Sequence, residues 1–216
     1  MVSIADSARI LAEIVDYQSG LAVALKNIGI GHFLQGNYKD AILVWEEAKK
    51  AYKLIGDNNG IANMLSNQGA VYFNQGEDAK ALDLNLQSLK IAEQINDTLR
   101  ILTSLNNIGI IYLNKSATYN KAIDYFQRGY KLANMIKDEV SVGMSAVNLG
   151  ETYFKLGDDS TALFYLRRSE IAYKGNENLT YTLNYMGKVY VRQKKYDLAV
   201  AMHKKAYNLA RELDVK

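Results

Sequence analysis

The tripeptide Asn-x-Gly recurs at Asn27-Ile28-Gly29, Asn67-Gln68-Gly69, Asn107-Ile108-Gly109 and Asn148-Leu149-Gly150, and Tyr185-Met186-Gly187 is a fifth, altered copy. The glycines stand 40, 40, 41 and 37 residues apart. A fixed period of this size means that one supersecondary unit is repeated and stacked, because a single unit cannot bury its apolar face alone. Three residues after each glycine comes a ring: His32, Tyr72, Tyr112, Tyr153 and Tyr190. About twelve after it a small residue, Ala41, Ala81, Ala122, Ala162 or Ala199, opens a second apolar pattern.

Each half of the unit has helical periodicity. Leu105, Ile108, Gly109 and Tyr112 fall at i, i+3, i+4 and i+7, and Ala122, Phe126, Tyr130 and Ala133 behave likewise. Proline is absent, where average usage of about 5% predicts roughly eleven, so continuous helix is favoured. Glycine inside a helix costs about 1 kcal/mol relative to alanine, yet the chain accepts it five times at one register. The two helices of each unit are therefore expected to cross at that glycine, with the ring and the alanine completing the contact. The turn between them reads Gly36-Asn37-Tyr38, Gly76-Glu77-Asp78, Gly157-Asp158-Asp159 and Lys194-Lys195-Tyr196, while the third copy carries Lys115 to Tyr119 with one extra residue and no glycine.

The segment Ala8 to Asp16 aligns with Ala48 to Gly56 at an offset of 40, so the chain begins inside a repeat. The expected layout is a half repeat over 1–17 followed by repeats over about 18–57, 58–97, 98–138, 139–176 and 177–216, one domain over 1–216 and part of a longer chain. Both end helices should present apolar strips, through Ile4, Ile10, Leu11, Ile14 and Val15 at one end and Met202, Ala206, Leu209 and Leu213 at the other. A missing repeat or a second molecule would cover them.

These residues resemble the tetratricopeptide repeat, whose pattern joins Gly and a ring in a first helix to Ala-x-x-x-aromatic-x-x-Ala in a second. The second element reads Ala41, Trp45, Ala48 in the first copy and Ala122, Phe126, Gly129 in the third. Copies two, four and five carry Asn85, Leu166 and His203 at the aromatic place. The family's closing proline is missing, and the period is near 40 instead of about 34. This is similar to the long variant found in kinesin light chain, in Pins-type spindle adaptors and in sensory portions of bacterial kinases, cyclases and regulators. The resemblance implies an all-α, right-handed superhelical solenoid of antiparallel helix hairpins, eleven helices in all. Function from fold alone stays open.

Composition removes several classes. No cysteine is present, which excludes disulfides, thiol chemistry and cysteine-ligated metals and fits a reducing, cytoplasmic compartment. No apolar run is long enough for a membrane span, and the first residues carry no secretory signal. No phosphate-binding loop, dinucleotide fingerprint or zinc-protease motif occurs, so no enzyme, cofactor or metal is expected. His32 and His203 stand at repeat packing positions. Residues 1–108 hold nine basic against twelve acidic side chains, and residues 109–216 hold seventeen against eleven. A chain without a basic groove in its first half is not expected to bind nucleic acid, and RNA-reading helical repeats use periods near 35.

In this family the first helices line the concave wall, which makes the positions at −6, −3, −2, +1, +4 and +5 from each glycine the groove candidates. At −2 stand Asn27, Asn67, Asn107, Asn148 and then Tyr185, and at −3 Lys26, Ser66, Asn106, Val147 and Asn184. Asn63, Thr103, Tyr181, Asn74, Asn114, Glu151, Lys155, Lys188 and Arg192 complete the set. An Asn row can pair with the amides of an extended peptide, or it can tie consecutive repeats together; both remain open. The i, i+4 pair Lys188 and Arg192 could receive an acidic segment, or be a solvated face. Lys26 with Asn67 resembles in part the family's carboxylate clamp, but Ile30 stands where the clamp wants a polar residue, so the clamp is not carried over. The expectation is a protein- or peptide-binding module, the sensory or docking region of a larger signalling protein. The rival is a structural scaffold that self-associates through its open ends.

Overall fold

A computed structural model describes residues 2–213, and among them every regular element is helical. Eleven α-helices follow one another: α1 (Val2–Ile14), α2 (Gln18–Leu34), α3 (Tyr38–Leu54), α4 (Asn58–Asn74), α5 (Asp78–Gln94), α6 (Thr98–Leu113), α7 (Tyr119–Ile136), α8 (Glu139–Leu156), α9 (Asp159–Ala172), α10 (Leu179–Arg192) and α11 (Tyr196–Glu212). The helix count and the all-α class are as the periodicity predicts. The irregular third turn is a single turn of 3-10 helix over Ser116–Thr118.

Local chemistry sets the helix limits. Asp57, Asp97, Asp138 and Asp158 each accept the backbone N–H three residues on, at 2.9, 3.0, 3.3 and 3.0 Å, which satisfies a donor that the first turn leaves without a partner. At the hairpin turns Gly36, Gly76 and Gly157 hold φ of 78, 77 and 88°, the left-handed region that costs glycine little. Lys194 takes the same place in the last hairpin at φ 60°, where its side chain is strained.

The contacts gather into two compact units, Met1–Asn107 and Ile108–Lys216, with the division inside α6. In the first unit α2 pairs with α3 and α4 with α5, while α1 packs on α2. In the second, α8 pairs with α9 and α10 with α11, and α7 packs on α8. The repeated glycines are the crossing points. A methyl group on Gly29 would overlap the ring of Trp45, one on Gly69 the amide of Asn85, and one on Gly109 the ring of Phe126. Gly150 lies under Leu166 and Gly187 under His203 in the same way. The partner is thus always the residue at the family's aromatic place, whatever its chemistry. The rings three residues after the glycine lie beside the crossing instead: Tyr112 stacks on Tyr125 and Tyr153 on Tyr165, each with centroids 5.7 Å apart.

Each second helix is also closed at a small residue. Ala48, Ser88 and Ser169 are 0% exposed and Ala206 is 3% exposed, which lets the neighbouring helix approach closely. In the first unit Ser66 of α4 donates to Ser88 of α5 at 3.0 Å, Ser88 donates to the carbonyl of Ala62 at 2.9 Å, and Ser104 of α6 lies 3.3 Å from the Ser88 hydroxyl. Ser169 and Thr182 repeat this link between α9 and α10 at 2.7 Å. Every one of these buried hydroxyls has a partner, as burial demands.

Candidate functional site

Within the first unit the Asn row divides. Asn27 of α2 is exposed and Asn67 of α4 half-buried, and neither side-chain amide has a hydrogen-bond partner among the described residues; the same holds for half-buried Asn63, one turn before Asn67. Asn107 differs: its amide donates to Oδ1 of Asn85 at 3.2 Å, and Asn85 in turn donates to the carbonyl of Ala81 at 2.8 Å. Asn106 and Asn114 are engaged within the protein.

The −3 register is mixed in this unit, with Ser66 buried and Lys26 and Asn106 half-buried. Ser66 is buried against Ser88, and the carbonyl of half-buried Lys26 accepts the indole N–H of Trp45 at 3.0 Å. Between α1 and α2 lies an open cleft of about 690 Å³, lined by Ile4, Ala5 and Ala8 on one side and Val23, Asn27 and Ile30 on the other. Its lining carries no charged side chain.

In the second unit the candidates gather around a carboxylate. Glu151 of α8 is 7% exposed; Lys155 bridges to it at 3.0 Å, Tyr181 of α10 donates to it at 2.6 Å and Tyr185 hydrogen-bonds it as well. Burial pushes this carboxyl up, but the hydrogen bonds from Tyr181, Tyr185 and Lys155 outweigh it and hold the group below the usual carboxylate range. Burial and the carboxylate together push the Tyr181 hydroxyl up to about 12 and move the Tyr185 hydroxyl in the same direction. Lys188 places its ammonium 4.2 Å from the centroid of the Tyr185 ring.

The remaining candidates of this unit are engaged. Asn148 is 9% exposed and held within the protein. Oδ1 of Asn184 lies 3.0 Å from Nδ1 of His203, joining α10 to α11. Arg192 donates through Nε to Asp159 and through Nη1 to the carbonyl of Phe154, both at 2.7 Å, with its plane over the Phe154 ring. Lys188 and Arg192, four residues apart on one helix, therefore have different surroundings: one ammonium over a ring, one guanidinium closed into a turn.

Four buried polar residues among those described in the first unit, Gln68, Asn85, Ser88 and Ser104, stand outside the groove candidates. Gln68 bonds Glu46 at 2.8 Å across the α3–α4 contact, and Asn85 and Ser88 act as described. Asn85 was visible as an amide in a slot that Trp45 and Phe126 fill in other copies, and Gln68 as the one polar residue at a register that Ile28, Ile108, Leu149 and Met186 keep apolar.

The comparisons agree with this architecture. The tetratricopeptide-repeat family model matches residues 60–135. No curated protein sequence matches significantly. Among solved structures, BtubC from P. vanneervenii is 17% identical with a TM-score of 0.84, covering 100% of this chain and 91% of its own. A Rap protein complexed with competence and sporulation factor is 19% identical at TM-score 0.78, covering 95% of this chain and 59% of its own. NprR in complex with its cognate peptide NprX is 17% identical at TM-score 0.69, covering 98% and 63%. The chain thus spans less than two thirds of the Rap and NprR chains it resembles. At these identities the likeness establishes a repeat solenoid of tetratricopeptide type. No helix among the described residues is long and apolar enough to cross a membrane.

Proposed function

We propose that this chain, a tetratricopeptide-type repeat protein, is a protein- or peptide-binding module that serves as the sensory or docking region of a larger signalling protein. The observation that carries the proposal is the pair Asn27 and Asn67. They stand at one register on successive first helices, and their amides have no partner within the described residues. Asn27 is exposed and Asn67 half-buried, so each amide is open to exchange water for the N–H and C=O groups of an incoming main chain. The Rap and NprR structures, which share this fold, hold a competence and sporulation factor and the peptide NprX; that likeness supports the class of ligand here. We extend the proposal to the repeat layout of 18–57, 58–97, 98–138, 139–176 and 177–216 after a half repeat over 1–17.

The ligand-facing set is Asn27, Asn63 and Asn67 in the first unit, and Lys188, Lys155 and Tyr181 in the second, the last two held in place by the buried Glu151. Excess positive charge in residues 109–216 favours an acidic ligand segment there. Peptides selected from a random phage-displayed library test this, with affinity read by fluorescence anisotropy. Replacing Asn27 and Asn67 together by Ala should weaken the selected peptides by about fivefold per lost bond, the equivalent of about 1 kcal/mol. Failure to select any peptide, or selected peptides indifferent to both positions, would overturn the proposal.

A further inference from the structure

Four residues of α9 share one helix face. Phe164, Arg167, Arg168 and Ile171 stand at i, i+3, i+4 and i+7, and all four are exposed, Phe164 at 52% and Ile171 at 71%. Counted from the alanine that opens each second helix, the same places of the first three copies carry an acid, Glu46, Asp83 or Asp124, and close on Lys50, Lys90 or Lys131. Mixed charge of that kind is a solvated face. The fourth copy instead sets two cations between two large apolar side chains. Chain ends do not cause the exposure, since α9 has its neighbours from both directions. Tyr130 of α7 meets Tyr165 of α9 edge-on with centroids 5.7 Å apart, and Lys205 of α11 bridges to Glu170 at 2.6 Å.

The face borders an open groove of about 480 Å³ between α9 and the turn into α11, and among the described residues its lining includes Lys195 and no carboxylate. The two carboxylates of α9 are engaged elsewhere, Asp159 with Arg192 and Glu170 with Lys205. Arg167 and Lys195 have no acidic partner among the described residues, and the Arg168 guanidinium lies 5.5 Å from the Phe164 centroid. The Phe164 ring is held edge-on to Tyr165 at 5.1 Å, so it is placed before any ligand arrives.

Lys195 is the sharper departure. It precedes α11 at the place where Asp158 caps α9 by accepting the Thr161 N–H at 3.0 Å. Lysine has no acceptor to cap with, and a cation at a helix N-terminus opposes the macrodipole. A local rule broken against stability, beside two exposed arginines, is expected where a surface serves an anionic partner.

We propose that this groove is a second docking surface, taking a short acidic segment of a partner protein whose carboxylates lie between large apolar side chains. Seven residues of helix advance about 10 Å, which roughly three extended residues span. The fitting pattern is therefore apolar, acid, acid, apolar. Arg167 and Arg168 fork the carboxylates, Lys195 adds attraction, and the end residues rest on Phe164 and Ile171. Aliphatic Ile171 offers a phosphate chain nothing, which favours a polypeptide. No residue of this groove belongs to the ligand-facing set proposed above.

Peptides displayed on phage test this, selected on the whole chain after removal of those that also bind an Arg167→Glu, Arg168→Glu variant. Survivors should carry adjacent acids between large apolar residues. Their affinity, read by fluorescence anisotropy, should fall with added salt and by about tenfold with Ile171→Ser. Lys90→Glu, a charge reversal at the matching place of α5, should leave it unchanged, as should Asn27→Ala with Asn67→Ala. Every exchanged side chain except half-buried Asn67 is exposed, and thermal melts confirm that each variant folds. No survivors, survivors without an acidic bias, or binding indifferent to Ile171→Ser overturns the proposal. Co-sedimentation with phosphatidylserine vesicles, or binding of a single-stranded RNA oligonucleotide, that Arg167→Glu abolishes while no acidic peptide survives assigns the cations to those ligands and overturns it as well. Peptides removed in the subtraction bind elsewhere on the chain, so this inference and the proposed function stand or fall on separate measurements.

Discussion

The side-chain amide of Asn107 donates to Oδ1 of Asn85 at 3.2 Å, and Asn85 covers Gly69 where other copies use a ring. One repeat's crossing residue therefore holds the next repeat's Asn. This link and a free Asn67 at the same register show that identical sequence positions serve different ends. A double-mutant cycle with Asn85→Ala and Asn107→Ala should give a coupling of about 1 kcal/mol in urea unfolding. Additive single effects would mean that the bond does not form in solution.

Gly109→Leu should destabilise by about 1–3 kcal/mol through overpacking, since even a methyl at that position overlaps the Phe126 ring. Gly36→Ala is the contrast: its space is open, and any cost should come from the positive φ alone. Thermal or urea melts of the two variants separate close approach from backbone strain.

Ser88→Ala removes the hydroxyl that joins Ala62, Ser66 and Ser104. Two buried hydroxyls then lose a partner, and a loss of about 1–3 kcal/mol is expected by chemical denaturation. An unchanged midpoint would show that the remaining serines pair with each other.

Glu151 ties the stability of the second unit to acid. Its carboxyl is held below the usual range in the folded state, so the unfolded chain binds this proton more readily. Its contribution is present above the unfolded carboxylate value near 4.3 and is lost as pH falls through the lower folded value. Glu151→Gln should flatten the acid limb of a stability–pH profile measured between about pH 6 and 2, while leaving its slope above pH 6 unchanged. At the alkaline end, ultraviolet titration should show the Tyr181 hydroxyl ionising near its raised value of about 12, above the ordinary tyrosine value of about 10.

Lys188 and Arg192 should separate in function. Arg192→Ala breaks the contacts with Asp159 and Phe154 and should lower the melting temperature. Lys188→Ala should leave melting nearly unchanged and weaken the salt dependence of association with acidic peptides, read by stopped-flow fluorescence. Equal effects of both on association and none on melting would mean that Arg192 is free in solution.

Period, helix number and crossing points were legible in the chain because they depend on short-range pattern. Five glycines at one register, with small residues at another, leave few ways to pack apolar faces, so Gly29 under Trp45 and Gly109 under Phe126 follow from spacing alone. Which Asn is available to a ligand was not legible, because that depends on the residue facing it from another helix. Asn107 meets Asn85 only because the second copy lacks a ring, and Arg192 at the end of α10 meets Asp159 at the start of α9, 33 residues away in the chain. Ile4, Ala8 and Leu11 of α1 are exposed, whereas Val44, Ala48 and Ala51 at the same spacing in α3 are buried or half-buried. Only the tertiary structure decides that one is core and the other is surface, since burial depends on which helix lies alongside and not on the residues of the row itself.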